Sequence, residues 1–173
     1  MIGKSVRLAL FLATVFVSTT AVADEAAIQR GKYLATIGGC NDCHTPGYFF
    51  GKPDTSRFLG GSDVGFEIPG LGVFVGANIT PDKETGIGKW SAQEIVTAIQ
   101  TGQRPDGRML APIMPWHALA QLTANDAAAI AAFLQSIKPV NNPNSGPFGP
   151  GEKVSTFMFR ILPSGETAAA APK

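Results

Sequence analysis

Apolar residues recur at helical spacing in three separated stretches of the chain, and between the first two the period is lost. From Ala26 to Ile37 the stripe Ala27, Gly31, Leu34 and Gly38 leaves Arg30 and Lys32 on other faces, which predicts a helix ending at Gly38-Gly39. A second helix is predicted from the run Ser91-Ala92-Gln93-Glu94, a capping box in which the serine oxygen and the glutamate side chain each satisfy an orphan amide. Ala92, Ile95, Val96 and Ile99 continue it on one face, and Gly102 stops it. The third helix starts near Thr123, with a similar cap expected from Asp126. It carries Ala127, Ile130, Ala131, Leu134 and Ile137 inward and halts at Lys138-Pro139. Gly31 inside the first helix costs about 1 kcal/mol relative to alanine, a cost explained if the last helix crosses closely there through Phe133 or Leu134.

Positions 45–90 hold ten of the twenty glycines and no sustained period, apart from FEIPGLGVFV, which fits a small hairpin around Pro69-Gly70. A loop of that length argues against a compact domain unless something other than protein fills the middle. A large flat cofactor would give Phe66, Leu71, Phe74 and Ile79 a surface to cover. The pattern therefore predicts an all-α domain, three main helices with long Gly/Pro-rich loops wrapped around a bound group. No internal repeat is visible.

Compartment narrows the chemistry. Lys4 and Arg7, the apolar run Leu8 to Val17, and Ala21-Val22-Ala23 have the build of a secretory signal cleaved before Asp24. The apolar run is about ten residues, short of the roughly 20 a spanning helix needs. The expected organisation is a signal peptide over 1–23, a domain over 24–140, and a Pro/Gly-rich extension over 141–173 that is partly packed or disordered. Export to a bacterial periplasm follows, with membrane association only through a partner. Losing Lys4 and Arg7 leaves 12 basic against 13 acidic residues, so no excess positive charge favours nucleic acid or an anionic bilayer.

Both cysteines and one of the two histidines lie in Cys40-Asn41-Asp42-Cys43-His44. A disulfide between Cys40 and Cys43 would close a very small ring and remove little loop entropy. A thioredoxin-type centre uses the same spacing but expects strands alternating with helices. A structural zinc site needs four donors, and His44 and His117 stand too far apart for the usual spacings. Covalent attachment of one haem c accounts for the whole spacing of the motif: two thioether bonds from Cys40 and Cys43, and the imidazole of His44 beneath the iron. His44 is expected to donate its other ring nitrogen to a backbone carbonyl, placed within Thr45 to Gly51. Candidates for the second axial position are Met109, Met114, His117 and Met158. Met114, between Pro112 and Pro115, sits where helix is hard to sustain and an extended loop can present a thioether. It competes with the ordinary use of methionine as a gap filler.

The segments RGKYLATIGGCNDCHT, NITPDKETGIGKWSAQEIVTAIQTGQRPDGR, MPW and LTANDAAAIAAFLQSIKPV resemble class I c-type cytochromes. They are most similar to the haem domains in the cytochrome subunits of membrane-bound alcohol, gluconate and sorbitol dehydrogenases. The resemblance covers roughly residues 30 to 140 and implies a cytochrome c fold with Met114 as the distal ligand. Those subunits string three such domains together, whereas this chain has one motif, which implies electron entry and exit at one exposed edge. By the resemblance the donor is a periplasmic or membrane-bound dehydrogenase and the acceptor a downstream cytochrome or oxidase. The opposing class is a haem enzyme or gas sensor, peroxidase-like, with an open axial position. Trp90, Arg104 and Arg108 are candidate contacts for the haem propionates, against the plainer roles of helix staple for the tryptophan and solvated surface charge for the arginines. Phe157-Met158-Phe159 is expected to pack across the domain.

Overall fold

Residues 19–162 are described by a computed structural model, in which the three expected helices are joined by two short ones and a small sheet. The positive start and apolar run of the expected signal segment, and the end of the tail, lie outside those residues. The helices are α1 (Thr19–Ile37), α2 (Cys40–His44), α3 (Ala92–Thr101), α4 (Trp116–Leu119) and α5 (Ala124–Ser136). The strands are β1 (Val64–Ile68), β2 (Gly72–Val75) and β3 (Phe157–Phe159). Helix α1 begins ahead of Ala26 because the alanine-rich run before that residue contains no breaker. Among the described residues no helix is long and apolar enough to cross a membrane.

Gly31 sets the main helix crossing. A Cβ built on it would stand 1.9 Å from the Ala129 carbonyl oxygen and 2.8 Å from the Phe133 Cβ, so the backbones of α1 and α5 meet where only hydrogen fits. The expected partner Phe133 is there, with Ala129 nearer still. Ala127, Ala131 and Leu134 of α5 are buried along with Leu34 and Ala35 of α1 and Ile95 of α3. Across one end of the crossing the Arg30 Nε–H donates to Asp126 at 2.8 Å. Thr123 caps α5 by accepting from the Asp126 amide at 3.1 Å, as expected, while the Asp126 carboxylate reaches across to α1 rather than back to its own helix end. On α3 the full capping box forms: Glu94 accepts from the Ser91 amide at 2.7 Å, and Ser91 accepts from the Glu94 amide at 3.2 Å.

The hairpin forms as its turn residues predict, with β1 and β2 antiparallel, Phe66 opposite Phe74 and Ile68 opposite Gly72. The domain is nevertheless not all-α. Strand β3 pairs parallel with the other edge of β1, Val64 beside Phe157 and Phe66 beside Phe159, giving the order β2-β1-β3. The hairpin leaves one edge of β1 with unpaired backbone groups, and the apolar Phe157–Phe159 satisfies them. Phe159 stacks on Phe66 with ring centroids 5.6 Å apart, and Phe49 meets Phe159 edge-on at 4.9 Å. Phe66 therefore packs against the tail, and Leu71 stands exposed at the hairpin turn. Of the four residues expected to cover a flat group, Ile79 alone reaches the central cavity.

Beyond α5 the chain is fastened back onto the long loop. Asn78 Nδ2 donates to the Val140 carbonyl at 2.7 Å, and the Val140 amide donates to Thr80 Oγ1 at 3.1 Å. The Asn142 amide donates to Thr85 Oγ1 at 3.0 Å and its side-chain amide to the Gly60 carbonyl at 2.8 Å. Val73 and Phe148 then exchange a pair of backbone hydrogen bonds at 2.9 Å each. Residues 140–160 thus close over the 59–85 loop as part of the domain.

Candidate haem site

The double glycine that ends α1 also starts the turn that carries Cys40, Cys43 and His44. Gly39 adopts φ 68°, a left-handed conformation open to glycine at little cost, and the chain re-enters helix at once as α2. One helical turn places Cys40, Cys43 and His44 on neighbouring positions three and four residues apart, which puts both thiols and the imidazole on one side. The cysteines are not joined to each other. Burial raises both thiol pKa values, Cys40 more completely enclosed, with Asp42 adding to the effect in each.

His44 is oriented from a distance. Its Nδ1 lies 2.6 Å from the Ala77 carbonyl oxygen. A carbonyl only accepts, so Nδ1 carries the proton and Nε2 is left as a bare donor atom. The second bond expected of a haem-ligating histidine is therefore present, but its acceptor lies on the strand side of the long loop and not within Thr45 to Gly51. Burial pushes the imidazole pKa down, with the Ala77 bond opposing it, and a neutral ring is the form that ligates a metal. The approach of the two segments depends on Gly76, where a Cβ would fall 1.6 Å from the Cys43 carbonyl oxygen.

Above this turn lies a cavity with about 200 Å³ available to the centres of water-sized molecules, open on one side. Leu34, Cys40 and His44 form its floor. Ile79 and Ile87 of the long loop, Ile95, Ala98 and Ile99 of α3, and Ile130 and Leu134 of α5 supply apolar walls. Met114 and Leu110 line it from the loop before α4. His117 is exposed with its ring centroid 3.5 Å from that of Trp116 and tilted 31° to it, Met109 is exposed on a bridge to Gln103, and Met158 lies in β3. None of these three lines the cavity, so among the axial candidates Met114 is the one brought to the same space as His44.

Against this geometry stand the comparisons. The chain is 37% identical over 126 residues to the cytochrome c subunit of a quinone-type alcohol dehydrogenase of Gluconobacter oxydans (strain 621H), covering 72% of this chain and 24% of that subunit. It is 36% identical over 128 residues to the fructose dehydrogenase cytochrome subunit of Gluconobacter japonicus, covering 73% of this chain and 24% of the subunit. To the gluconate 2-dehydrogenase cytochrome c subunit of Pantoea cypripedii it is 36% identical over 140 residues, 79% of this chain and 30% of that one. The chain is a relative of the cytochrome c subunits of these dehydrogenases. It spans about a quarter to a third of their length. No protein-family model matches it.

As expected of a cytochrome c relative, the cavity suits a haem in the chemistry of its lining: the Cys40 sulfur beside an oriented imidazole, the Met114 thioether, and apolar side chains, with Cys43 on the same short helix but outside the lining. It also carries a cationic group with one unsatisfied donor: Arg104 pairs with Asp106 through its terminal nitrogen at 3.4 Å. Arg104 Nε is buried and makes no hydrogen bond, its guanidinium lies 5.6 Å from the centre of the Trp90 ring, and both residues line the cavity. Burial and the neighbouring Arg108 lower the Arg104 pKa while Asp106 opposes them. An anionic substituent on a bound group would satisfy that orphaned donor. Arg108 lies outside the lining, exposed and paired with Asp106 at 2.8 Å. What the sequence reading missed is Ala77, an exposed alanine whose backbone alone does the work, and the Asn78 and Thr85 side chains beside it. Their signal was NITPDKET, a polar run with no period whose residues bond to each other and to the tail.

Proposed function

We propose that this chain is an electron-transfer protein carrying one haem c, attached through Cys40 and Cys43 with His44 and Met114 as axial ligands. Supporting this most directly is the convergence on one apolar cavity of Cys40, a histidine whose Nδ1–H is committed to Ala77, and Met114. Bound there, haem c supplies reversible one-electron chemistry at iron. The chain's own part is to hold the imidazole in one tautomer, offer a soft neutral thioether that favours the ferrous state, and exclude water with aliphatic walls. Trp90 and Arg104 serve the propionate end. The relatives' names favour a dehydrogenase as electron donor, with a downstream cytochrome or oxidase as acceptor. The chain works in the periplasm after removal of residues 1–23, reaching the membrane only through a partner.

Two measurements test this. Reduced protein at neutral pH is expected to bind carbon monoxide slowly or not at all, because both axial positions are filled; rapid binding supports the enzyme or sensor class instead. A Met114→Ala variant is expected to open the site and lower the reduction potential. An unchanged potential and spectrum would exclude Met114 as the ligand.

A further inference from the structure

The orientation of His44 depends on a carbonyl that has no packing of its own. Ala77 is exposed, yet the residues on either side of it are both tied to the chain that follows α5. On one side, the Gly76 carbonyl accepts from the Ser62 amide at 2.8 Å and from the side-chain amide of Asn144. On the other, Asn78 donates to the Val140 carbonyl. The backbone of His44 is held in a parallel way. Its carbonyl accepts from the Gly61 amide at 2.8 Å, and the neighbouring Gly60 carbonyl accepts from Asn142 Nδ2 at 2.8 Å. Asn144 fills the space against Gly61 so closely that a Cβ there would lie 2.1 Å from its Oδ1.

We propose that Asn142 and Asn144 are positioning residues for the His44 imidazole, acting through Gly60-Gly61 and through Gly76-Ala77 respectively. The proposal rests on His44 being an iron ligand. A ligating imidazole whose Nδ1–H is held by an acceptor is a more basic donor, and the acceptor can exert that effect only if it stays in place. Asn144 holds the acceptor segment through Gly76, 67 positions from Ala77, and Asn142 holds the His44 backbone through Gly60-Gly61. Loss of either amide leaves the fold's apolar contacts intact and lets the Ala77 carbonyl or the His44 backbone move.

The experiment uses the full haem-loaded chain with Asn144→Ala and Asn142→Ala, and Phe159→Ala as the comparison, because Phe159 packs the same tail without touching this network. Three quantities are read: the exchange rate of the His44 Nδ1 proton by NMR, the reduction potential, and the melting temperature. In the asparagine variants the proton is expected to exchange about twofold to tenfold faster, the range set by one ordinary hydrogen bond, and the potential to rise as the imidazole becomes a weaker donor. Phe159→Ala is expected to lower the melting temperature with the exchange rate and potential unmoved. If the asparagine variants change only the melting temperature, as Phe159→Ala does, the positioning role is overturned while ligation by His44 stands. If the parent protein shows no iron-shifted His44 proton, the ligand assignment and this inference fall together.

Discussion

Replacing Gly31 by alanine pits two effects of known sign against each other. In an isolated helix the change stabilises by about 1 kcal/mol. Here the added Cβ would stand 1.9 Å from the Ala129 carbonyl oxygen and 2.5 Å from its carbonyl carbon. These are backbone atoms inside α5 and cannot rotate away. Restoring ordinary contact near 3.4 Å requires the helices to separate by about 1.5 Å along that line, which opens the packing of Leu34, Ile130 and Leu134 as well. Overpacking of this kind costs about 1–3 kcal/mol, and the loosened neighbours place this case at the upper end, so a net loss of about 2 kcal/mol remains after the propensity gain. For a domain of this size that corresponds to a fall of roughly 4–8 °C in melting temperature, measured by far-ultraviolet circular dichroism on the haem-loaded chain. Adding Ala129→Gly should not restore stability, because the clash is with the carbonyl and not with the methyl group. A Gly31→Ala protein as stable as the parent, or rescue by Ala129→Gly, would refute the close-crossing argument.

Other expectations follow from individual contacts. Arg30 depresses the Asp126 pKa below its usual 3.8, so the contribution of this pair is present above that value and is lost as pH falls through the lower folded-state value. The stability difference between the parent and Asp126→Asn should accordingly be full at neutral pH and shrink below about pH 4, as followed by denaturant midpoints across pH; a difference that grows in acid would contradict the sign. Arg104→Met removes a cation that lines the cavity and is expected to lower the reduction potential, since a nearby positive charge favours the ferrous state. A potential equal to the parent's would exclude Arg104 from the neighbourhood of the bound group.

Legibility in the sequence followed the range of the interactions. The capping box at Ser91, the stop at Gly102 and the tight glycine at position 31 could all be read locally, because each is set by contacts within one turn or by the cost of a missing side chain. The pentapeptide from Cys40 to His44 stood out for the same reason, its cysteines and histidine lying within five residues that fold as one short helix. Strand β3 was not: three residues are too few to show a period of two, and its partner Val64–Phe66 lies more than ninety positions earlier. The acceptor for His44 escaped because any residue supplies a carbonyl, so Ala77 carries no mark in its side chain. Placing it within Thr45 to Gly51 assumed a local turn, whereas the structure uses a distant loop pinned by tail asparagines.

The fastening of residues 140–160 over the long loop has a consequence for the order of assembly. A polypeptide is made from its amino end, so the turn that carries Cys40, Cys43 and His44 comes into existence 96 positions ahead of Val140, counted from His44. Until the later stretch arrives, the loop lacks the hydrogen bonds that Val140, Asn142 and Asn144 make to it. The last ribbon of chain then acts as a latch, and a rearranged gene that encoded it first would be expected to mature poorly.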